Sequence, residues 1–269
     1  FSNPMRWLVA LWMTSLVMFL QGQDEGPIDI ISDPEGHLYI ADQVASGVRK
    51  CNALGETLHR VSTTSQPTGL HQDMTRKRLY VTIGQGSGKL MVLRPSDLGT
   101  IEVIPCGHSP QSPKLSPNRE YLAVVQRFLN EIWFLDAQSL EVKTKISVSR
   151  EPVDLEWINN DEVAVIHHLS EEAAMADWTG CSINHVKLST AEVTKIPLED
   201  GSNGSRKIGL SADRKYAFSA MVIGSHRVPA TQLERGWISK NGLSIVDLEN
   251  KKLLGSILLD EMNLGAANP

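Results

Sequence analysis

Ser32-Asp33-Pro34-Glu35-Gly36 runs through His37 into Leu38-Tyr39-Ile40-Ala41, a turn-forming cluster followed at once by β-forming residues. The same order recurs four times. Asp73-Met74-Thr75-Arg76-Lys77 precedes Leu79-Tyr80-Val81-Thr82, and Ser116-Pro117-Asn118-Arg119 precedes Tyr121-Leu122-Ala123-Val124. Asn159-Asn160-Asp161 precedes Val163-Ala164-Val165-Ile166, and Ser211-Ala212-Asp213-Arg214 precedes Tyr216-Ala217-Phe218-Ser219. Ser, Asp and Asn side chains bond their own backbone in turns, and branched or aromatic residues suit a pleated strand. The strand starts at 38, 79, 121, 163 and 216 are 41, 42, 42 and 53 residues apart. A period of roughly 40–45 residues with several short strands per unit is that of a β-propeller blade. A sandwich has no reason to repeat at that interval, and a solenoid coil is shorter.

Each unit accommodates four strands, A to D from axis to rim. Pro27, Pro67, Pro110 and Pro152 stand near the start of strand A, where a missing N–H does no harm to a central ladder. Third strands read Leu90–Leu93, Ile132–Asp136, Ile183–Val186 and Leu243–Asp247, and outer strands include Ile101–Ile104, Lys145–Val148 and Val193–Ile196. The expected fold is all-β, a propeller of four-stranded antiparallel blades, with about five blades in residues 23–269.

Composition narrows the function classes. The chain has 269 residues, with 26 Lys+Arg against 31 Asp+Glu and a net charge of -5. A phosphate-tracking nucleic-acid binder needs a basic face, and none is expected here. Hydrophobic residues at 41% exclude wholesale disorder, and three cysteines, 55 and 75 residues apart, exclude a disulfide-dense scaffold or a metal knuckle. No disulfide is expected among Cys51, Cys106 and Cys181. Gly84-x-Gly86-x-Gly88 follows a strand without opening a helix, so it reads as a B–C turn and not a phosphate cradle. Asn203-Gly204-Ser205 fits a glycosylation acceptor, expected to be idle.

Met5-Arg6 precedes the 14-residue apolar run Trp7–Leu20 and a small polar stretch from Gln21 to Gly26. That length suits a signal-peptide core and is short for a membrane span. Residues 1–22 are therefore read as upstream residues plus a signal peptide starting at Met5. The expected location is periplasmic or secreted, with no membrane contact beyond that peptide.

The repeats resemble YVTN-type β-propellers. Leu79-Tyr80-Val81-Thr82 is close to the motif itself, and Leu115-Ser116-Pro117-Asn118 resembles its turn. Pro229–Trp237 running into Asn241–Asp247, with the final Gly265-Ala266-Ala267-Asn268-Pro269, resembles a secreted bacterial subgroup often fused to a C-terminal region like di-haem cytochrome c peroxidases. The resemblance implies seven blades, of which this chain would carry five and the start of a sixth. It also implies haem c, held in a region beyond Pro269, because no Cys-x-x-Cys-His occurs here. Met221 stands where the subgroup carries a histidine, which weakens any transferred ligand role.

Function is expected where the period breaks. Blade 4 is 11 residues longer than its neighbours and blade 5 about 20 longer, in both cases between strands B and C. B–C and D–A connections open on one face, and long loops on a rigid scaffold carry binding. The candidates on that face are His167, His168, Asp177 and Trp178 in the first excursion, and His226, Arg227, Glu234, Arg235 and Trp237 in the second. Imidazole with carboxylate suits a divalent metal, so His108, His168 and His226 are the metal candidates. His167 and His168 are adjacent in extended chain and point to opposite sides, so they do not form one bidentate site. Trp178 and Trp237 also read as pins that fix the loops, and Trp133 as packing between blades.

The leading expectation is a binding or scaffold module, associated with a c-type cytochrome, whose protein partner or small ligand sits on the B–C face. No catalytic residue or cofactor is assigned in the residues present. One alternative is a propeller enzyme, a lactonase or quinoprotein-like dehydrogenase, with Asp29, His71, Lys114, Asp154 and Glu156 scattered along the innermost strands. The other is a cell-surface adhesion module. Five unclosed blades leave exposed sheet edges, which pair readily with other chains. Residues 23–269 expressed alone should therefore oligomerise in size-exclusion chromatography, and a monodisperse, cooperatively unfolding monomer would contradict this.

Overall fold

The computed structural model describes residues 26–173, 176–224 and 239–260. The signal-peptide reading of residues 1–22 lies outside them. Five antiparallel sheets follow one another. Blade 1 is β1 (Pro27–Ser32), β2 (Leu38–Asp42), β3 (Gly47–Cys51) and β4 (Thr57–Ser62). Blade 2 is β5 (Pro67–Asp73), β6 (Arg78–Ile83), β7 (Ser87–Leu93) and β8 (Thr100–His108). Blade 3 is β9 (Pro110–Leu115), β10 (Tyr121–Gln126), β11 (Glu131–Asp136) and β12 (Val142–Ser147). Blade 4 is β13 (Pro152–Trp157), β14 (Glu162–His167), β15 (Ser182–Lys187) and β16 (Glu192–Pro197). Blade 5 has β17 (Ser202–Asn203) and β18 (Gly209–Leu210), both paired to β19 (Tyr216–Gly224), then β20 (Ser239–Asp247) and β21 (Lys252–Leu258). The chain is an all-β propeller of several blades. Among the described residues no helix is long and apolar enough to cross a membrane.

The A–B turns form as their composition dictates. Asp33 Oδ1 accepts the N–H groups of Glu35 and His37 at 3.0 and 2.9 Å, and Asp73 Oδ1 accepts that of Thr75 at 3.0 Å. In blades 3 and 5 a serine does the same work. Ser116 Oγ accepts Tyr121 N–H and Ser211 Oγ accepts Tyr216 N–H, both at 3.0 Å. The blade 1 turn closes on Gly36 at φ 85°, a conformation that favours glycine.

The core lies between blades. One apolar cluster joins blades 1 and 2 through Tyr39, Val48, Leu79 and Leu93, and a second joins blades 2 and 3 through Tyr80, Leu90, Leu122 and Leu135. Phe134 and Trp157 meet edge-to-face at 5.7 Å between blades 3 and 4, and Ile166, Ile183, Ala217 and Val246 fill the next interface. Trp133 packs at the edge of the blade 2–3 cluster, with Lys145 Nζ 3.9 Å from its ring centre. The three cysteines are buried and unpaired.

One-period steps in sequence become neighbour contacts around the axis. Asp29 accepts Leu70 N–H at 2.9 Å, Thr68 donates to the Pro110 carbonyl, and the Trp157 indole donates to the Lys114 carbonyl at 3.0 Å. Gly69 lies where β5 meets β9. A Cβ there would stand 2.8 Å from Ser112 N and 2.9 Å from the Pro113 ring. Neither neighbour is a flexible side-chain end. Gly69→Ala should thus lower stability by about 1–3 kcal/mol, the usual range for overpacking. Gly209→Ala, where the added Cβ meets nothing within 4 Å, should change the urea midpoint far less.

Candidate functional site

The leading proline of each inner strand shapes the end of the axial channel. Lacking an N–H, it breaks the ladder, and the register slips just after it, between Pro27 and Asp29, Pro67 and Gly69, and Pro152 and Asp154. In blade 3 the slip falls at Ser112-Pro113, with Ser112 at φ 45°. The displaced residues Ile28, Thr68, Ser112 and Val153 all line one funnel-shaped cavity of about 340 Å³.

B–C and D–A connections meet at this end. Gln43, Gly84, Arg127, His168 and Gly224 each donate a backbone bond to the D–A segment leading into their own blade, at Gly26, Gln66, Ser109, Glu151 and Gly201. The last residue of strand B is buried in several blades and ties the same segment down. Asp42 accepts Gly26 N–H, Gln126 accepts His108 N–H, and His167 Nδ1 lies 3.2 Å from the Arg150 carbonyl. The residue that follows faces the funnel, as Gln43, Arg127 and His168 do. His167 and His168 therefore point apart, His167 into the blade and His168 into the cavity, with His168 Nδ1 3.0 Å from the Ser205 carbonyl.

Blade 5 departs from the pattern. It has no leading proline, and its inner strand is interrupted between β17 and β18. Residues 204–208 bulge there, with Gly204 at φ 72°, and Arg206 and Lys207 join the funnel wall. Lys207 reaches Asp29 of blade 1 at 3.1 Å. Arg127 pairs with Glu151 at 3.0 Å, yet its Nε is buried without a partner. Arg206 makes no hydrogen bond or ion pair among the described residues.

Below the mouth, the inner-strand residues that look scattered in sequence converge. Lys114 pairs with Glu156, Ser112 donates to Asp154, and Asp154 also accepts Ile208 N–H at 3.0 Å. Burial pulls the Lys114 ammonium down, but Asp154, Glu156 and Asp29 outweigh it and hold its pKa above the ordinary lysine value. His71 is pushed down to about 4, first by burial and then by the Lys114 charge.

The other predicted residues lie elsewhere. The blade 4 excursion folds outward over β16, where Trp178 donates to the Leu198 carbonyl at 3.0 Å and Glu171 and Glu172 pair with Lys195. Asp177 is exposed on that excursion. His108 stacks edge-on against Phe128 at 5.9 Å, on an exposed rim. Among the described residues the group that places three metal-capable side chains together is Asp33, Glu35 and His37, an A–B turn on the opposite face, and it includes neither His108 nor His168. His226, Arg227, Glu234, Arg235 and Trp237 lie outside the described residues. No Cys-x-x-Cys-His is present and the cysteines are buried, so these residues do not fit covalent haem attachment. Sequence reasoning passed over Arg127, Arg206 and Lys207. Arg127 occupies the slot that His168 occupies one blade on, and the missing proline of blade 5 marks the other two.

No protein-family model matches the chain, and no curated protein matches it in sequence. Solved structures do resemble it. Hydrazine synthase of Kuenenia stuttgartiensis is 21% identical with a TM-score of 0.81, over 93% of this chain and 72% of that one. Virginiamycin B lyase from Staphylococcus aureus is 11% identical with a TM-score of 0.66, over 90% and 73%. The WD40 domain of Neurospora crassa Pan2 is 11% identical with a TM-score of 0.58, over 84% and 64%. At these identities the likeness establishes the propeller fold.

Burial pushes His167, like His71, down to about 4. Both are neutral in the fold at pH 6.5, whereas the unfolded chain binds protons near that value. Their contribution is complete above pH 6.5 and is lost as pH falls toward 4. The urea midpoint should therefore drop across that window. His167→Gln, which copies Gln126 in the matching slot, should flatten the slope and reduce the total stability loss across the window by up to about 3 kcal/mol. An unchanged slope would contradict a buried neutral His167.

Proposed function

We propose that the chain is an exported propeller that recognises a ligand or partner at its funnel face and serves a c-type cytochrome redox protein. The observation that carries recognition is the funnel itself. Five blades contribute to its wall, where among the described residues Arg127 Nε is buried without a partner and the exposed Arg206 makes no hydrogen bond or ion pair. Concave sites with a few converging polar groups are the usual binding sites. The cytochrome association rests on the subgroup resemblance of residues 229–247.

A propeller enzyme is the second reading, favoured by the convergence of Asp29, His71, Lys114, Asp154 and Glu156. Against it, these carboxylates already hold partners. Asp29 serves Leu70 and Lys207, Asp154 serves Ser112 and Ile208, and Glu156 serves Lys114. Lys114 stays protonated at neutral pH and is no base. The adhesion reading has no observation in its favour.

The full-length gene product isolated from the cell envelope should carry covalent haem or copurify with a haem protein, read from its visible spectrum. Copurification should weaken when Arg127 and Arg206 are both changed to Glu. Isolation free of haem in either form would defeat the redox association.

A further inference from the structure

The funnel wall is biased toward donors. Arg127, Arg206 and Lys207 bring three cations to it, His168 an imidazole, and Gln43, Gln85 and Gln111 three amides, while among the described residues no carboxylate lines it. The protein as a whole carries a net charge of -5, so this cluster does not follow from general basicity. Asp29 and Glu151 offset Lys207 and Arg127, which leaves Arg206 as the uncompensated charge. The buried, unpartnered Nε of Arg127 is a second donor in want of an acceptor.

Size and floor narrow the ligand. A cavity of about 340 Å³ lies at the small end of ligand-binding clefts and favours a small molecule over an extended peptide. Ile28 and Val153 give the wall an apolar patch that a bare inorganic anion does not use and a short carbon chain does. Arg206 stands exposed on the interrupted inner strand of blade 5 and shares the cavity wall with Ile28 and Gln43 of blade 1.

We propose that the funnel mouth is a binding site for a small organic polyacid of the di- or tricarboxylate class, with Arg206 and Arg127 as the carboxylate-recognising residues. This rests on the funnel face being the recognition surface and adds the chemical class of what it takes.

Isothermal titration of the intact chain, in low-salt buffer free of phosphate and carboxylates, tests it with citrate, succinate and inorganic phosphate. Citrate should bind saturably with a Kd below about 1 mM, and phosphate at least tenfold more weakly. Arg206→Ala should weaken citrate at least tenfold with its melting temperature unchanged, because Arg206 has no partner to lose. Lys252→Ala, at the far end of blade 5, should leave binding as it is. No saturable binding of either acid, or binding indifferent to Arg206→Ala, would overturn the site. Phosphate binding as tightly as citrate would overturn the organic-acid assignment. The haem experiment is independent, so absence of haem leaves this result standing, and absence of acid binding leaves the partner assay intact.

Discussion

The inner strand of a propeller blade has one edge that no neighbouring strand pairs. Its N–H groups face the axis, and the fold must satisfy them by some means other than a ladder. Here side chains of the adjacent blade do so. Asp29 takes the N–H of Leu70 in blade 2, and Asp154 takes that of Ile208 in blade 5 while holding Ser112 of blade 3. These bonds span about one repeat in sequence, so they tie the blades into a ring around the axis as well as closing the edge. The apolar clusters between blades supply the bulk of the burial, but they are indifferent to small slides. Directional carboxylate bonds fix the inner strands against one another, and Gly69 keeps β5 and β9 close enough for the Thr68 hydroxyl to reach the Pro110 carbonyl.

The same edge explains the funnel. A strand that starts on proline begins with a missing donor, so its first residues slip out of register and turn toward the axis. Repeated in four blades, that slip produces a ring of axis-facing side chains at one end only. Blade 5 lacks the proline and solves the problem differently, by breaking its inner strand into β17 and β18. The break delivers Arg206 and Lys207 to the ring. A local irregularity thereby changes the chemistry of the whole mouth, since the other four blades contribute mostly uncharged groups.

The fold was legible because its determinants are local and repeated. Turn clusters at a steady interval announced each A–B corner, and the hydroxyl and carboxylate oxygens of Asp33, Asp73, Ser116 and Ser211 perform the capping that their identity suggests. The site was legible only in part. The opposite orientation of His167 and His168 follows from strand alternation, which needs no tertiary knowledge. The direction of the blade 4 excursion does not. Its length drew attention to Asp177 and Trp178, yet Lys195 and the Leu198 carbonyl draw that loop outward over β16, away from the axis. Length indicates that a loop is free to go somewhere, and its charge partners decide where. Asp29, Lys114 and Glu156 looked scattered for the converse reason, because their proximity exists only once successive blades have packed side by side.

Charge is partitioned along the axis, and this bears on what the molecule can do. In the channel, acids and bases satisfy one another and the inner edges. A carboxylate committed to a backbone N–H and a neighbouring hydroxyl is a poor general base, because taking up a proton would forfeit bonds that hold two blades together. Lys114, kept cationic by three acids, is equally unsuited to proton transfer. At the mouth the balance is reversed, since donors exceed acceptors and one arginine has no partner. The requirement that ties neighbouring blades together commits the acids below, while at the mouth Asp29 and Glu151 offset Lys207 and Arg127 and, among the described residues, Arg206 is left without a partner. The proposed recognition of an acidic group draws on that surplus of donors at the mouth, while the acids of the channel are spent on holding blades together.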